Sequence, residues 1–154
     1  MAKNSNNLVG VTGEYFVCAE LGKRGILALI TPKNNPIFDI VAVAPDASRT
    51  VTIQVKTMSE RNNLGWKLGK DICERKNNPF LYTVLVNLMG NDIGYYIYEY
   101  DILSERVEKV YQDYLKVKKR DGSDRKDIDF RWYDFKLFSA DDHMRKNNWS
   151  ILGF

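Results

Sequence analysis

The sequence has 154 residues, of which 44% are hydrophobic and 28% charged, as in a single globular domain with a hydrophobic core. No segment approaches the roughly 18 consecutive apolar residues of a membrane helix, and residues 1–7 lack the apolar region of a signal peptide, so we expect a cytoplasmic protein. The net charge of +3 does not by itself indicate nucleic-acid binding. Cys18 and Cys73 fit neither a disulfide framework nor a zinc site, and we interpret them as small buried thiols.

Helical spacing comes first in the chain. Apolar residues and one acid recur at steps of three and four, namely Val11, Glu14, Val17, Cys18 and Leu21. This period predicts a helix over about 9–23 that ends before Gly25. Three runs typical of β-strands follow at 26–31, 38–44 and 50–57, separated by turn sequences.

The second part of the chain also contains both predicted helices and predicted strands. The predicted elements are a short helix at 70–76, strands at 80–88 and 95–100, a long amphipathic helix with Asp101 as its N-cap, a strand at 130–138 and a short helix at 141–147. Neither a repeat nor a linker divides the sequence. The element order therefore predicts one domain over 1–154, of the α/β class with a mixed sheet.

The strands at 38–44 and 50–57 are joined by a short loop, and we expect them to pair as an antiparallel hairpin. The predicted register places Asp39 across from Lys56. It also places Val41 across from Gln54. Asp39, Gln54 and Lys56 then share one face of the hairpin. The opposite face is apolar and consists of Ile40, Ala42, Ile53 and Val55.

Glu14 lies on the apolar face of the first helix, away from Lys23 and Arg24. A carboxylate on a packed helix face costs free energy unless it is protonated, paired or bound to a metal. If the helix packs on the hairpin, Glu14 joins Asp39 and the two polar residues of the second strand in one cleft.

The order Gly13-Glu14, then Phe38-Asp39-Ile40, then Ile53-Gln54-Val55-Lys56-Thr57 resembles the PD-(D/E)XK nuclease superfamily. The similarity covers about residues 9–100 by element order, with motifs between 13 and 57. It implies a restriction-endonuclease-like α-β-β-β-α-β core over about 9–100, followed by a helical and irregular C-terminal extension at 101–154. An unrelated α+β fold would instead place Glu14 and Asp39 far apart.

The resemblance also implies the chemistry of the site. Glu14 and Asp39 would bind Mg²⁺ or Mn²⁺ together with the backbone carbonyl of Val55, and Lys56 would orient the attacking water. Gln54 stands where the family has an acid, so that the metal site carries one negative charge fewer. Phe38 replaces the proline of the family motif. Some restriction and homing endonucleases of the superfamily have glutamine at the acid position held here by Gln54 and still cleave DNA.

The implied function is a metal-dependent endonuclease that hydrolyses double-stranded or branched DNA, either of the homing or restriction type or junction-resolving. Because one chain offers one site and a duplex has two strands, we expect a homodimer or higher homo-oligomer. The alternative is a catalytically inactive protein of the same fold that serves as a DNA-binding or protein-interaction module.

Candidate phosphate contacts form two basic groups: Arg61, Lys67, Lys70, Arg75 and Lys76, and then Lys118, Lys119 and Arg120. For the second group we favour a solvated surface over phosphate binding, because acids are interleaved over 121–129 and a helix C-terminus favours lysine. Trp66 is interpreted either as a groove contact or as a core anchor. His143 is expected to be exposed.

Overall fold

A five-stranded mixed sheet lies between two layers in the computed structural model, which describes residues 6–33, 35–58 and 63–154. The helices and strands are α1 (Asn6–Lys23), β1 (Leu27–Ile30), β2 (Ile40–Val43), β3 (Thr50–Met58), β4 (Gly65–Gly69), β5 (Leu81–Asn87), β6 (Gly94–Glu99), α2 (Tyr100–Lys116), β7 (Phe130–Asp134) and α3 (Ala140–Met144). Short 3₁₀ turns cover Lys70–Cys73, Phe135–Leu137 and Trp149–Leu152. Within these described ranges, none of the helices is long and apolar enough to cross a bilayer.

The strands of the main sheet follow the order β1-β2-β3-β5-β6, and only the neighbours β3 and β5 run parallel. Parallel neighbours require a crossover connection. Here the crossover contains β4 and the turn Lys70–Cys73. β4 pairs with β7 in a separate two-stranded antiparallel ribbon. β7, near the C-terminus, is therefore hydrogen-bonded to β4, which lies between β3 and β5 in the chain.

Each face of the sheet has its own hydrophobic core. On one face, Val17 and Leu21 of α1 pack against Ile53 and Val55 of β3, because alternate residues of a strand point to the same side. On the other face, α2 and the β4–β7 ribbon cover Leu85 and its neighbours. The predicted α/β class with a mixed sheet is confirmed.

Several local predictions differ from the structure. The sequence analysis did not predict β4, and the short helix predicted at 70–76 is the 3₁₀ turn Lys70–Cys73. Asp101 does not cap α2, since its carboxylate oxygens accept hydrogen bonds from the backbone N–H groups of Lys76 and Asn77. The Asp101 side chain therefore stabilises the loop that precedes β5 and does not cap the N-terminus of α2.

The predicted hairpin register is wrong by two residues. Val43 pairs with Thr50, and Val41 pairs with Thr52 instead of Gln54. The Ala44 N–H donates to the Arg49 carbonyl and closes the turn there, which continues the observed register. A shift of two keeps the alternation of faces, so the predicted division into a polar and an apolar face is confirmed.

Two aromatic predictions are settled by burial. Trp66 is a core anchor, 1% exposed, and its Nε1 donates to the Val86 carbonyl at 3.1 Å. His143 is exposed and its ring packs on Phe138. The two cysteines are free thiols, but both are only partly buried, which corrects the prediction of buried thiols.

Candidate active site

Asp39 lies where the ladder between β2 and β3 ends, one residue before β2 begins. Its backbone N–H donates to the Ile53 carbonyl at 2.9 Å, and its carbonyl accepts from Thr31 N–H at 2.8 Å. Its carboxylate Oδ2 accepts the Val55 N–H at 2.7 Å, so the side chain takes the place of a strand partner. This bond fixes the Asp39 carboxylate against the backbone of β3.

The backbone of Val55 faces the same opening. Thr52 N–H bonds towards β5, and alternate residues of a strand bond to opposite sides, so the N–H and C=O of Val55 point away from β5. The Val55 carbonyl therefore lies on the side where Asp39 binds the N–H. The structure brings together the two groups that the sequence analysis assigned to one metal.

Gln54 and Lys56 flank Val55 and point to the opposite face of the sheet from α1. Gln54 is 8% exposed, and its Oε1 is buried with no hydrogen-bond partner among the residues that the structure describes. A buried oxygen without a partner has given up its hydrogen bonds to water and has gained none in exchange, which costs free energy. Lys56 is half-buried and forms no ion pair within the described part of the chain.

α1 brings Glu14 towards Asp39. Gly13 packs directly on Thr57 of β3, and a Cβ atom at Gly13 would overlap the Thr57 hydroxyl and lie 3.1 Å from the Thr57 Cβ. Only glycine permits this approach of helix and strand. Burial and the neighbouring Asp39 carboxylate raise the pKa of Glu14, while Lys33 lowers it. The two carboxylates therefore interact, unlike the expectation for an unrelated fold.

Two residues contribute to this geometry in ways that were not predicted from the sequence. Lys33, in the loop between β1 and β2, is the cation that acts on Glu14. Gly13 was noted only as part of the motif, yet it determines how closely α1 approaches β3. A glycine inside a helix lowers stability by roughly 0.5–1 kcal/mol relative to alanine. A glycine in the middle of a predicted helix therefore indicates a position at which another element packs closely.

The donor set suits a hard divalent cation. The candidate donors are two carboxylates, the Gln54 amide oxygen and a backbone carbonyl, all oxygen ligands of the kind that Mg²⁺ and Mn²⁺ prefer. The buried, unpartnered Oε1 of Gln54 fits this role because coordination would satisfy it. Because α1 packs on the other face of the sheet, Glu14 does not share a face with Gln54 and Lys56, which corrects the cleft expected for these residues. Among the described residues, no group of three or more His, Cys, Asp or Glu side chains lies close enough to share an ion.

The candidate phosphate contacts do not form one surface. Arg61 lies outside the described residues. Four of the others form ion pairs with carboxylates, namely Lys70, Arg75, Lys76 and Lys118. Lys67 lies over the ring of Phe130, and Lys119 and Arg120 are exposed beyond the end of α2. Arg75 contacts Glu105 near the start of α2, about 16 Å along that helix from Lys116, at which the helix ends before Lys118.

No protein-family model and no curated protein matches the sequence. Among solved structures, the bacterial homing endonuclease I-Ssp6803I is similar in fold, with a TM-score of 0.50 and 15% identity over 66% of this chain and 74% of that chain. The Archaeoglobus fulgidus Holliday junction resolvase Hjc gives a TM-score of 0.44 and 14% identity over 80% of this chain and 89% of that chain. At 15% identity, the similarity to the homing endonuclease shows that the chain has a nuclease-type α/β fold.

Proposed function

We propose that this protein is a metal-dependent DNA endonuclease of the PD-(D/E)XK superfamily with glutamine in the acid position. The observation that carries the proposal is the position of Asp39, which is bonded to Val55 N–H and interacts with the Glu14 carboxylate. Gln54 and Lys56 lie on either side of Val55. These are the residues to which the resemblance to the family motif would assign metal binding and orientation of the water.

Each side chain has a role that its surroundings support. Asp39 and Glu14 would hold Mg²⁺ or Mn²⁺, with the Val55 carbonyl and Gln54 Oε1 as neutral ligands. A divalent cation, when bound, supplies positive charge for the phosphate in the transition state. Lys56, which has no ion pair in the described ranges, would hydrogen-bond the attacking water and stabilise it as it loses its proton.

The reaction is the hydrolysis of a phosphodiester bond. The oxygen of water forms a bond to phosphorus as the bond from phosphorus to one sugar oxygen breaks. We propose double-stranded or branched DNA as the substrate, cleaved either by a homing or restriction-type enzyme or by a junction-resolving one. Cleavage of both strands requires two sites, so we propose a homodimer or a higher homo-oligomer.

The proposal is tested by incubating plasmid and branched DNA with the protein and Mg²⁺ or Mn²⁺. Asp39→Ala and Lys56→Ala are expected to abolish metal-dependent cleavage. Lys23→Ala is the matched control, since Lys23 is 69% exposed at the end of α1 and pairs with Glu20 of the same helix. Equal cleavage by Lys56→Ala and Lys23→Ala would show that the site does not perform the reaction.

A second candidate function is DNA binding without catalysis. It is favoured by Gln54, because a neutral amide attracts a divalent cation less strongly than a carboxylate. Gln54→Glu separates the two candidates. A gain of metal-dependent cleavage would indicate an inactive site that lost its acid, and a loss of existing cleavage would indicate an enzyme adapted to glutamine.

A further inference from the structure

An apolar groove of about 600 Å³ lies between the C-terminal half of α2 and β7, outside the candidate active site. We call it the α2–β7 groove. Its apolar lining includes Val110, Tyr114, Val117, Phe130, Trp132 and Leu137. Tyr114 is 44% exposed and Trp132 is 41% exposed, so two aromatic rings are open to solvent here. The volume lies within the range of sites that hold small planar molecules.

Cations lie over the aromatic rings of the groove. The Arg125 guanidinium is 4.3 Å from the centre of the Tyr114 ring. Lys67 Nζ is 4.2 Å from the centre of the Phe130 ring and 5.8 Å from that of Trp132. These contacts hold positive charge beside rings that retain exposed surface. The groove therefore offers stacking surface and cationic charge in the same place.

The charge around the groove is positive overall. Its lining contains two carboxylates, Asp113 and Asp134. Both form ion pairs with lysines: Asp113 with Lys109 and Lys116, and Asp134 with Lys136. These three lysines outnumber the two carboxylates, and Lys67 and Arg125 over the aromatic rings add to the excess. Asp127, which accepts from the hydroxyl of the lining residue Tyr111, is balanced by its ion pair with Arg131. This balance complements a polyanion rather than a neutral or basic partner.

We propose that the α2–β7 groove binds an unpaired nucleobase of the DNA substrate, an inference that rests on the proposed function. Aromatic side chains that stack bases, next to cations that neutralise the phosphates, are the combination that binds single strands. A base within a duplex is already stacked, so only an unpaired or extruded base can enter. Trp132 and Lys67 are paired across the β4–β7 ribbon, and β4 is the next strand after β3, which carries Gln54 and Lys56.

Tryptophan fluorescence gives a direct test. Trp66 and Trp149 are 1% and 7% exposed, whereas Trp132 is 41% exposed, so a ligand that stacks in the groove alters mainly Trp132. The protein is titrated with a single-stranded thymidine oligonucleotide in EDTA. We expect the oligonucleotide to quench the tryptophan fluorescence in a saturable manner. The quenching should be absent in Trp132→Phe, and a fully paired duplex of the same length should not cause it.

Affinity provides the second measurement. Tyr114→Ala is expected to weaken oligonucleotide binding roughly 5- to 150-fold, the effect of removing one stacking partner. Met144→Ala is the control, since Met144 is 73% exposed on α3 and does not line the groove. No quenching, quenching that persists with Trp132→Phe, or equal affinity for the two alanine variants would overturn the proposal.

The other occupant to exclude is a second copy of the chain. If sedimentation without DNA shows a dimer that Trp132→Ala converts to monomers, the groove is a subunit interface and the proposal fails. Because the titration uses neither metal nor cleavage, its result is independent of the nuclease assay. Quenching by a protein that neither binds Mn²⁺ nor cleaves DNA would retain the base-binding groove and favour the second candidate function over the endonuclease.

Discussion

Gly13→Ala tests whether the contact between α1 and β3 determines the geometry of the site. The new Cβ would overlap Thr57 Oγ1 and lie 3.1 Å and 3.2 Å from Thr57 Cβ and Cγ2, closer than the 3.4 Å at which ordinary contact begins. Rotation of the Thr57 side chain can move the hydroxyl, but its Cβ is fixed to β3. The helix must therefore move outward and carry Glu14 away from Asp39.

The magnitude follows by comparison with Gly10→Ala, since a Cβ at Gly10 meets nothing within 4 Å. Both variants gain about 0.5–1 kcal/mol in helix propensity. Only Gly13→Ala adds the overpacking cost of about 1–3 kcal/mol. We therefore expect Gly13→Ala to unfold at a lower urea concentration than Gly10→Ala. The free energies of unfolding of the two variants should differ by the overpacking cost of about 1–3 kcal/mol.

Metal binding gives the functional half of this prediction. Calorimetric titration with Mn²⁺ is expected to show weaker binding by Gly13→Ala and unchanged binding by Gly10→Ala. Adding Thr57→Ala to Gly13→Ala removes two of the three close atoms and should recover part of the loss. The reasoning is refuted if Gly13→Ala matches Gly10→Ala in both stability and Mn²⁺ affinity.

Three further predictions concern charged groups. Because the pKa of Glu14 is raised, the folded state binds its proton more tightly than the unfolded state, and the stability of the metal-free protein falls as pH rises through that pKa. At neutral pH, Glu14→Gln should therefore unfold at a higher temperature than the wild-type protein, yet bind Mn²⁺ more weakly. Gln54→Glu buries another acid near Asp39 and should lower the melting temperature without metal, with recovery on adding Mn²⁺ that a calorimetric scan would detect. Asp142 is fully buried and paired with Arg106 at 2.7 Å; burial raises its pKa, but its hydrogen bonds lower it further, so its contribution is present above its unfolded pKa and is lost as pH falls through the folded value. Asp142→Ala should cost about 3–5 kcal/mol in urea unfolding at neutral pH, and a cost under 1 kcal/mol would contradict the role of this pair.

The polar face of the hairpin was predictable because strand alternation depends on parity. An error of two residues in the register left Gln54 and Lys56 on the same side. The ribbon was not predictable, because β4 has only five residues, the first and last of them glycines, and its partner β7 begins more than 60 residues later. A strand this short acquires its structure from its partner rather than from its own sequence.

Local signals also failed where a side chain serves a distant segment. Asp101 has the residue type and position of an N-cap, but it binds the loop at 76–77 instead. The approach of Glu14 to Asp39 depends on the Gly13–Thr57 contact, which joins segments more than 40 residues apart. The sequence supplied the candidate residues of the site, and tertiary packing supplied the distances between them.

The pairing of β4 with β7 has a consequence for the order of folding. Trp66 packs against the Phe135 and Phe138 rings, so the core beside β3 stays incomplete until the C-terminal segment has been synthesised. A nascent chain released before β7 would leave Trp66 uncovered and β4 without a partner strand. We expect a fragment ending before Phe130 to aggregate, and expect folding of the whole chain to be slowed by this non-local pairing.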